Sequence, residues 1–277
     1  MALKLMYITN SPEVAKIAQS RGVDRVFVDM EYIGKSARQG GMDTVQSRHT
    51  LEDVKALRNV LKDTELLVRI NPIHEATAEY SSSQEEIDGA IESGADILML
   101  PYFKTAKEVE RFVKMVGGRA RTLPLVETPE AVAAMDDILN VDGIDEIFVG
   151  LNDLSLGYGK KFMFEVLADG TVERLVEKFK AKGIPFGFGG LASVNGGMLP
   201  GHMVLKEHYR LGSQCVILSR SFCNVAKCKD LAEVEEIFER GVAEIRACEA
   251  SLTDFDAFEE NKREVKEKVK MIAEGMA

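Results

Sequence analysis

A (β/α)8 barrel is the fold this sequence predicts, and three observations predict it. Short apolar segments alternate with amphipathic ones nearly end to end. The apolar segments are continuous hydrophobic runs, as in strands covered on both faces. Eight such pairs can be marked out, which favours a closed barrel over an open doubly wound sheet, and 277 residues suits one barrel domain.

The elements follow in order. Lys4–Thr9 reads as the first strand, the helix Pro12–Gln19 follows, and Gly22 breaks it. Arg25–Met30 is the second strand. Thr50 caps a helix over Leu51–Leu61, and Leu66–Ile70 is the third strand. Ser83 with Glu86 three residues later has the form of a capping box for the next helix, which Gly94 ends. Ile97–Leu100 is the fourth strand, and Thr105 opens a helix to Met115. Leu123–Val126 and the helix Pro129–Leu139 form the fifth pair. Ile147–Val149 is the sixth strand, with a helix over Thr171–Ala181. Pro185–Gly189, the helix His202–Tyr209, Val216–Leu218 and the helix Leu231–Ala250 complete the barrel. The barrel domain is thus expected over residues 1–250, with a C-terminal helical extension over 251–277. In that extension Phe258, Val265, Val269 and Ile272 share one helical face. Packing on its own barrel and packing on a neighbouring subunit fit this face equally.

Composition narrows the partners. Hydrophobic residues make up 45% and charged residues 29%, the balance of a soluble globular protein. A net charge of −10 without a basic patch argues against nucleic acid. No run approaches the length of a membrane span, and the first residues lack a signal-peptide pattern. Cys215, Cys223, Cys228 and Cys248 have no CxxC spacing, so reduced thiols in a cytoplasmic protein are expected.

In a barrel of this kind chemistry sits at the C-terminal ends of the strands. Those ends carry Asp29 and Glu31, Arg69 and Asn71, Glu127, and Asn152 with Asp153. Singly, Asp29, Glu31 or Glu127 is explained by an ion pair with Arg69. As a set they are better explained by a divalent cation, because carboxylates and water are the ligands Mg²⁺ or Mn²⁺ selects. Glu127 and Asp153 are the expected ligands. Zinc is not indicated, since His49, His74, His202 and His208 form no HExxH pattern. His49 and His74 lie on loops at the active end, where either could serve as a general base. No strand interior or strand tip carries a lysine placed for Schiff-base chemistry. The glycines around strand seven, from Gly187 to Gly197, suit a tight strand and loop as well as a phosphate site.

The segments VFVDME, LLVRINP, GADILMLPYFKTAKEVE, LPLVETPEAV and IFVGLNDLSLGYG, in this order, resemble the HpcH/HpaI aldolase and citrate lyase family over residues 20–225. The resemblance implies a barrel whose last helix packs on a partner subunit in a homo-oligomer. It implies Mg²⁺ or Mn²⁺ held by Glu127 and Asp153, chelating the carboxylate and 2-oxo oxygen of pyruvate. Arg69 would stand over the developing enolate oxygen, with Asn152, Asp29 and Glu31 helping to bind substrate. The implied reaction is reversible aldol cleavage of a 4-hydroxy-2-oxo acid to pyruvate and an aldehyde. The family's pyruvate aldolases carry a His after the strand-two acid, where this chain has Tyr32. Proton transfer then falls to His49, to a metal-bound water or to Tyr32, or the reaction differs. Acyl-CoA cleavage of the citrate-lyase-β or malyl-CoA-lyase kind is the alternative, and a non-catalytic barrel subunit is a third reading.

Overall fold

The computed structural model describes residues 2–35, 47–252 and 256–275. Its eight strands are β1 (Lys4–Ile8), β2 (Arg25–Asp29), β3 (Glu65–Arg69), β4 (Ile97–Leu100), β5 (Arg121–Val126), β6 (Ile147–Val149), β7 (Phe186–Leu191) and β8 (Cys215–Leu218). They pair in parallel in sequence order and close into a barrel, β8 returning to β1. The predicted (β/α)8 barrel is therefore the observed fold.

Helices α1 (Pro12–Ser20), α2 (Leu51–Arg58), α3 (Ser83–Glu92) and α4 (Ala106–Val116) follow the first four strands. The capping box of α3 lies one residue earlier than expected. Ser82 accepts from the Glu85 backbone N–H, and the Glu85 carboxylate accepts from Ser82. Glu86, the expected box acid, is instead turned inward to Asn71. The predicted helix over 129–139 is two short pieces, α5 (Pro129–Ala133) and α6 (Met135–Ile138), and Ala134, at the junction, leaves the helical angles.

Two further short helices stand before the next long one: α7 (Leu151–Gly157) and α8 (Glu165–Ala168). The remaining helices are α9 (Thr171–Lys182), α10 (Gly201–Leu211), α11 (Leu231–Ser251) and α12 (Asp256–Gly275). Helix α12 packs on α8 and α10 of its own chain. Phe258, Val265 and Val269 are buried there, and Asn261 donates to the Met203 carbonyl and to Glu207. Among the described residues no helix is long and apolar enough to cross a membrane.

Alternate strand residues face the barrel axis, so the interior can be read in layers. Its middle is apolar, with Met6, Phe27, Leu67, Met99, Leu125 and Phe148 in one cluster. Below it lies a charged layer that neutralises itself. Arg25, fully buried, bonds Glu65 through Nε at 2.7 Å and Glu146 through both Nη atoms at 2.8 and 2.7 Å. Arg121 bonds the same two glutamates. At β7 the chain can reach β8 only without a side chain at Gly187, where a Cβ would overlap the Cys215 carbonyl. This accounts for one of the strand-seven glycines by close packing. The upper layer, at the C-terminal strand ends, holds the candidate site.

Candidate active site

Glu127 follows β5 directly and continues its inward-facing set of Leu123 and Leu125. It is 4% exposed and accepts a hydrogen bond from the Tyr102 backbone N–H at 3.0 Å. Tyr102 makes that bond from the left-handed region, at φ 49°. Non-glycine residues seldom adopt this conformation, and the cost of holding it often falls at functional sites.

Asp153 is placed differently from the sequence expectation. It lies not at a strand tip but in the first turn of α7, whose N-cap is Gly150. Leu151 and Leu154 anchor this short helix in the core, and an acid in its first turn is favoured by the N-terminal backbone dipoles. Asn152 donates from Nδ2 to Asp153 Oδ1 at 3.0 Å, so its amide orients the neighbouring carboxylate.

Glu127 and Asp153 line one cavity of about 190 Å³ with Tyr102, Thr128, Pro129, Leu156 and Gly157. Burial, then the nearby Glu31 and Asp153 carboxylates, push the Glu127 carboxyl up to about 8, against the opposing pull of Arg69. Two carboxylates crowded at one small cavity have the donor chemistry of a hard divalent cation, whose charge would relieve that crowding. The residues present fit such an ion as an open site. Among the described residues no cluster of three or more His, Cys, Asp or Glu side chains forms a fuller cage.

Beside this pair stands a compact ion cluster. The β2–β3 register sets Asp29 against Arg69. Arg69 binds Asp29 in a fork, Nε to Oδ1 and Nη2 to Oδ2, both at 2.8 Å. Its Nε is also 3.5 Å from Glu31 Oε2. Burial by itself would raise the Asp29 carboxyl, but Arg69 and Lys35 hold it well below the usual carboxylate range. Lys35 reaches Asp29 Oδ2 at 2.8 Å and Glu31 Oε2 at 3.4 Å.

Lys35 escaped the sequence reading because it belongs to the loop after β2 and not to a strand. No periodic pattern marks it, and only the fold returns it to the mouth. Held between two carboxylates, it is a paired cation rather than the isolated amine that Schiff-base chemistry uses.

Tyr32 and His49 do not share the Glu127–Asp153 cavity. They line a second cavity of about 230 Å³ with Asn71, His74, Tyr80 and Glu86. His49 Nδ1 accepts the Asp29 backbone N–H at 3.0 Å, so its neutral ring carries the proton on Nε2 and is a donor there. Burial lowers the pKa of this imidazole. Tyr32 is 49% exposed. Asn71, noted in the sequence only as part of a strand end, ties this region together. Its Oδ1 accepts from the Tyr32 and Ile33 backbone N–H groups at 2.9 Å, and its Nδ2 donates to Glu86 at 2.8 Å. The other part of the strand-two connection, residues 36–46, lies outside the described residues.

His74 is held away from the Glu127 cavity by the Pro72 and Ser81 carbonyls, at 2.7 and 2.9 Å from its two ring nitrogens. His208 is fully buried and stacks on Phe188 with centroids 3.9 Å apart.

An eight-stranded parallel barrel with an acid pair, a forked Arg–Asp pair and a buried lysine at its C-terminal mouth has the layout of a barrel enzyme, whose chemistry sits at that end of the strands. Comparison with known proteins makes the assignment narrower. The HpcH/HpaI aldolase/citrate lyase family profile matches residues 4–188, and the chain belongs to that family. A hydroxypyruvate/pyruvate aldolase of Rhizorhabdus wittichii is 39% identical over 79 residues, which are 26% of this chain and 32% of that protein. The matched part is thus about a third of the relative's length.

Two solved structures share the fold. One is an HpcH/HpaI aldolase from Desulfitobacterium hafniense, with TM-score 0.59, 17% identity, and coverage of 88% of this chain and 93% of that one. The other is an HpcH/HpaI aldolase/citrate lyase family protein from Burkholderia cenocepacia, with TM-score 0.63, 16% identity, and coverage of 84% and 95%.

Proposed function

We propose that this protein is a divalent-metal-dependent carbon–carbon lyase that cleaves a 4-hydroxy-2-oxo acid to pyruvate and an aldehyde. The observation that carries the reading is the Glu127–Asp153 pair at one cavity, with Glu127 driven up to about 8 by burial and by neighbouring acids. Membership of an aldolase and citrate lyase family supports it.

In cleavage the C3–C4 bond breaks and its electron pair passes to the 2-oxo unit, which becomes an enolate. The 4-hydroxyl loses its proton as the aldehyde forms, and C3 gains one as pyruvate forms. An Mg²⁺ or Mn²⁺ ion at Glu127 and Asp153 would supply Lewis-acid stabilisation of the developing oxyanion. Arg69 contributes a fixed positive charge facing the same mouth. Its fork to Asp29 means that it need not reorganise as charge develops. Asn152 keeps the Asp153 carboxylate oriented. Tyr32 and His49 are the titratable groups in the neighbouring cavity, and of these His49 is set to donate from Nε2.

The direct test is pyruvate release from a 4-hydroxy-2-oxo acid, its loss on treatment with a chelator and its return with Mn²⁺. Glu127→Ala and Asp153→Ala should each abolish both Mn²⁺ binding and turnover. Cyanoborohydride with pyruvate should leave the chain unmodified, and a trapped lysine adduct would overturn the proposal. Activity confined to acyl-CoA thioesters would move the protein to the citrate-lyase branch.

A further inference from the structure

Lys35 is 4% exposed, although an ammonium is among the costliest groups to take out of water. It is received by Asp29 at 2.8 Å and Glu31 at 3.4 Å. Both acids already face Arg69, and the Arg69 fork by itself fixes the geometry of Asp29. Lys35 is therefore not needed to orient Asp29, and what it adds is a charge. The loop that carries it is fixed in advance, because Asn71 Oδ1 holds the Tyr32 and Ile33 backbone N–H groups between Glu31 and Lys35.

We propose that Lys35 is a positioning residue whose positive charge, set against Asp29 and Glu31, leaves the charge of Arg69 available to the oxygens of an anionic 2-oxo acid at the mouth. This inference rests on the lyase reading above. Removing Lys35 makes that corner of the mouth one charge more negative. Asp29 and Glu31 then draw more fully on Arg69, and an incoming anion meets them as well as Glu127 and Asp153. A cleft lined by one sign of charge repels a ligand of that sign.

The test uses the full chain loaded with Mn²⁺ and oxalate as the probe, with Kd measured by calorimetry and folding checked by circular dichroism. Lys35→Met should weaken oxalate binding by about tenfold or more, the size of one moderately screened charge interaction. Lys35→Arg should bind nearly as wild type does. The decisive variant is Lys35→Met combined with Glu31→Gln, which removes one negative charge from the same corner and should restore most of the affinity. A side chain that merely fills space would not be rescued this way. Wild-type affinity in Lys35→Met, or no recovery in the double variant, would overturn the proposal. Failure of wild type to release pyruvate would instead count against the lyase reading, while the oxalate pattern would still decide the role of Lys35.

Discussion

Glu127 can lie where it does because residue 150 has no side chain. A Cβ on Gly150 would stand 2.8 Å from Glu127 Oε2 and 3.0 Å from Glu127 Cβ, closer than packed atoms tolerate. Gly150→Ala should therefore displace the carboxylate at a stability cost of about 1–3 kcal/mol, typical of overpacking. Mn²⁺ affinity should fall more than the melting temperature suggests, and calorimetry beside a thermal melt would show it. An unchanged affinity would mean that Glu127 is not held by this contact. Buried His208 gives a second local prediction. Its imidazole is pushed down to about 3 by burial, below the ordinary value of 6.5. Between those values the unfolded chain binds a proton that the folded chain does not, so stability is lost as pH falls from about 6.5 towards 3. The slope from this one group is about 1.4 kcal/mol per pH unit. His208→Gln should flatten that limb in urea unfolding measured at several pH values.

Helix ends show how far local sequence rules reach. Thr50 and Thr105 cap α2 and α4 as their sequence positions suggest, each with an acid three residues later. At α3 three consecutive serines offer alternative starts, and spacing alone does not choose among them. The fold chooses Ser82, because Glu86 is taken by Asn71 and the Ser83 hydroxyl by the His74 backbone N–H at 2.8 Å. Ser82→Ala should then cost about 1 kcal/mol through loss of the cap. Equilibrium urea unfolding would check this, and no change on substitution would place the helix start elsewhere. Helix α7, at seven residues, holds too few turns to show a periodicity, yet it decides where Asp153 stands.

Across the molecule, the barrel interior places an apolar middle between two charged ends. The lower end is closed by Arg25, Arg121, Glu65 and Glu146, each acid bonded to both arginines. Arg25→Met should destabilise the protein by about 3 kcal/mol or more, because Glu146 would keep its buried charge with a weaker partner. A loss within experimental error in denaturant unfolding would show that Arg121 alone suffices. The upper end is not closed in the same way: burial and nearby acids still drive Glu127 upward. The difference between the two ends fits a structural plug below and a reactive mouth above. The C-terminal helix, which the sequence allowed on either this barrel or a neighbour, lies with Phe258, Val265 and Val269 against its own chain.

The order of strands and helices, the barrel and the acids at its mouth were legible in the chain, because they depend on periodicity and on position relative to a strand end. Glu127, Arg69 and Asp29 could be placed at the mouth from their neighbours in sequence alone. Other features depend on contacts between residues far apart in the chain. Asp153 enters the mouth on a helix turn, and Asn71 holds a loop about forty positions away in sequence. Lys35 becomes part of the site only when that loop folds back over β2 and β3. A lysine in a polar loop reads as solvent-exposed. Only the tertiary structure supplies the two buried carboxylates that make its burial affordable.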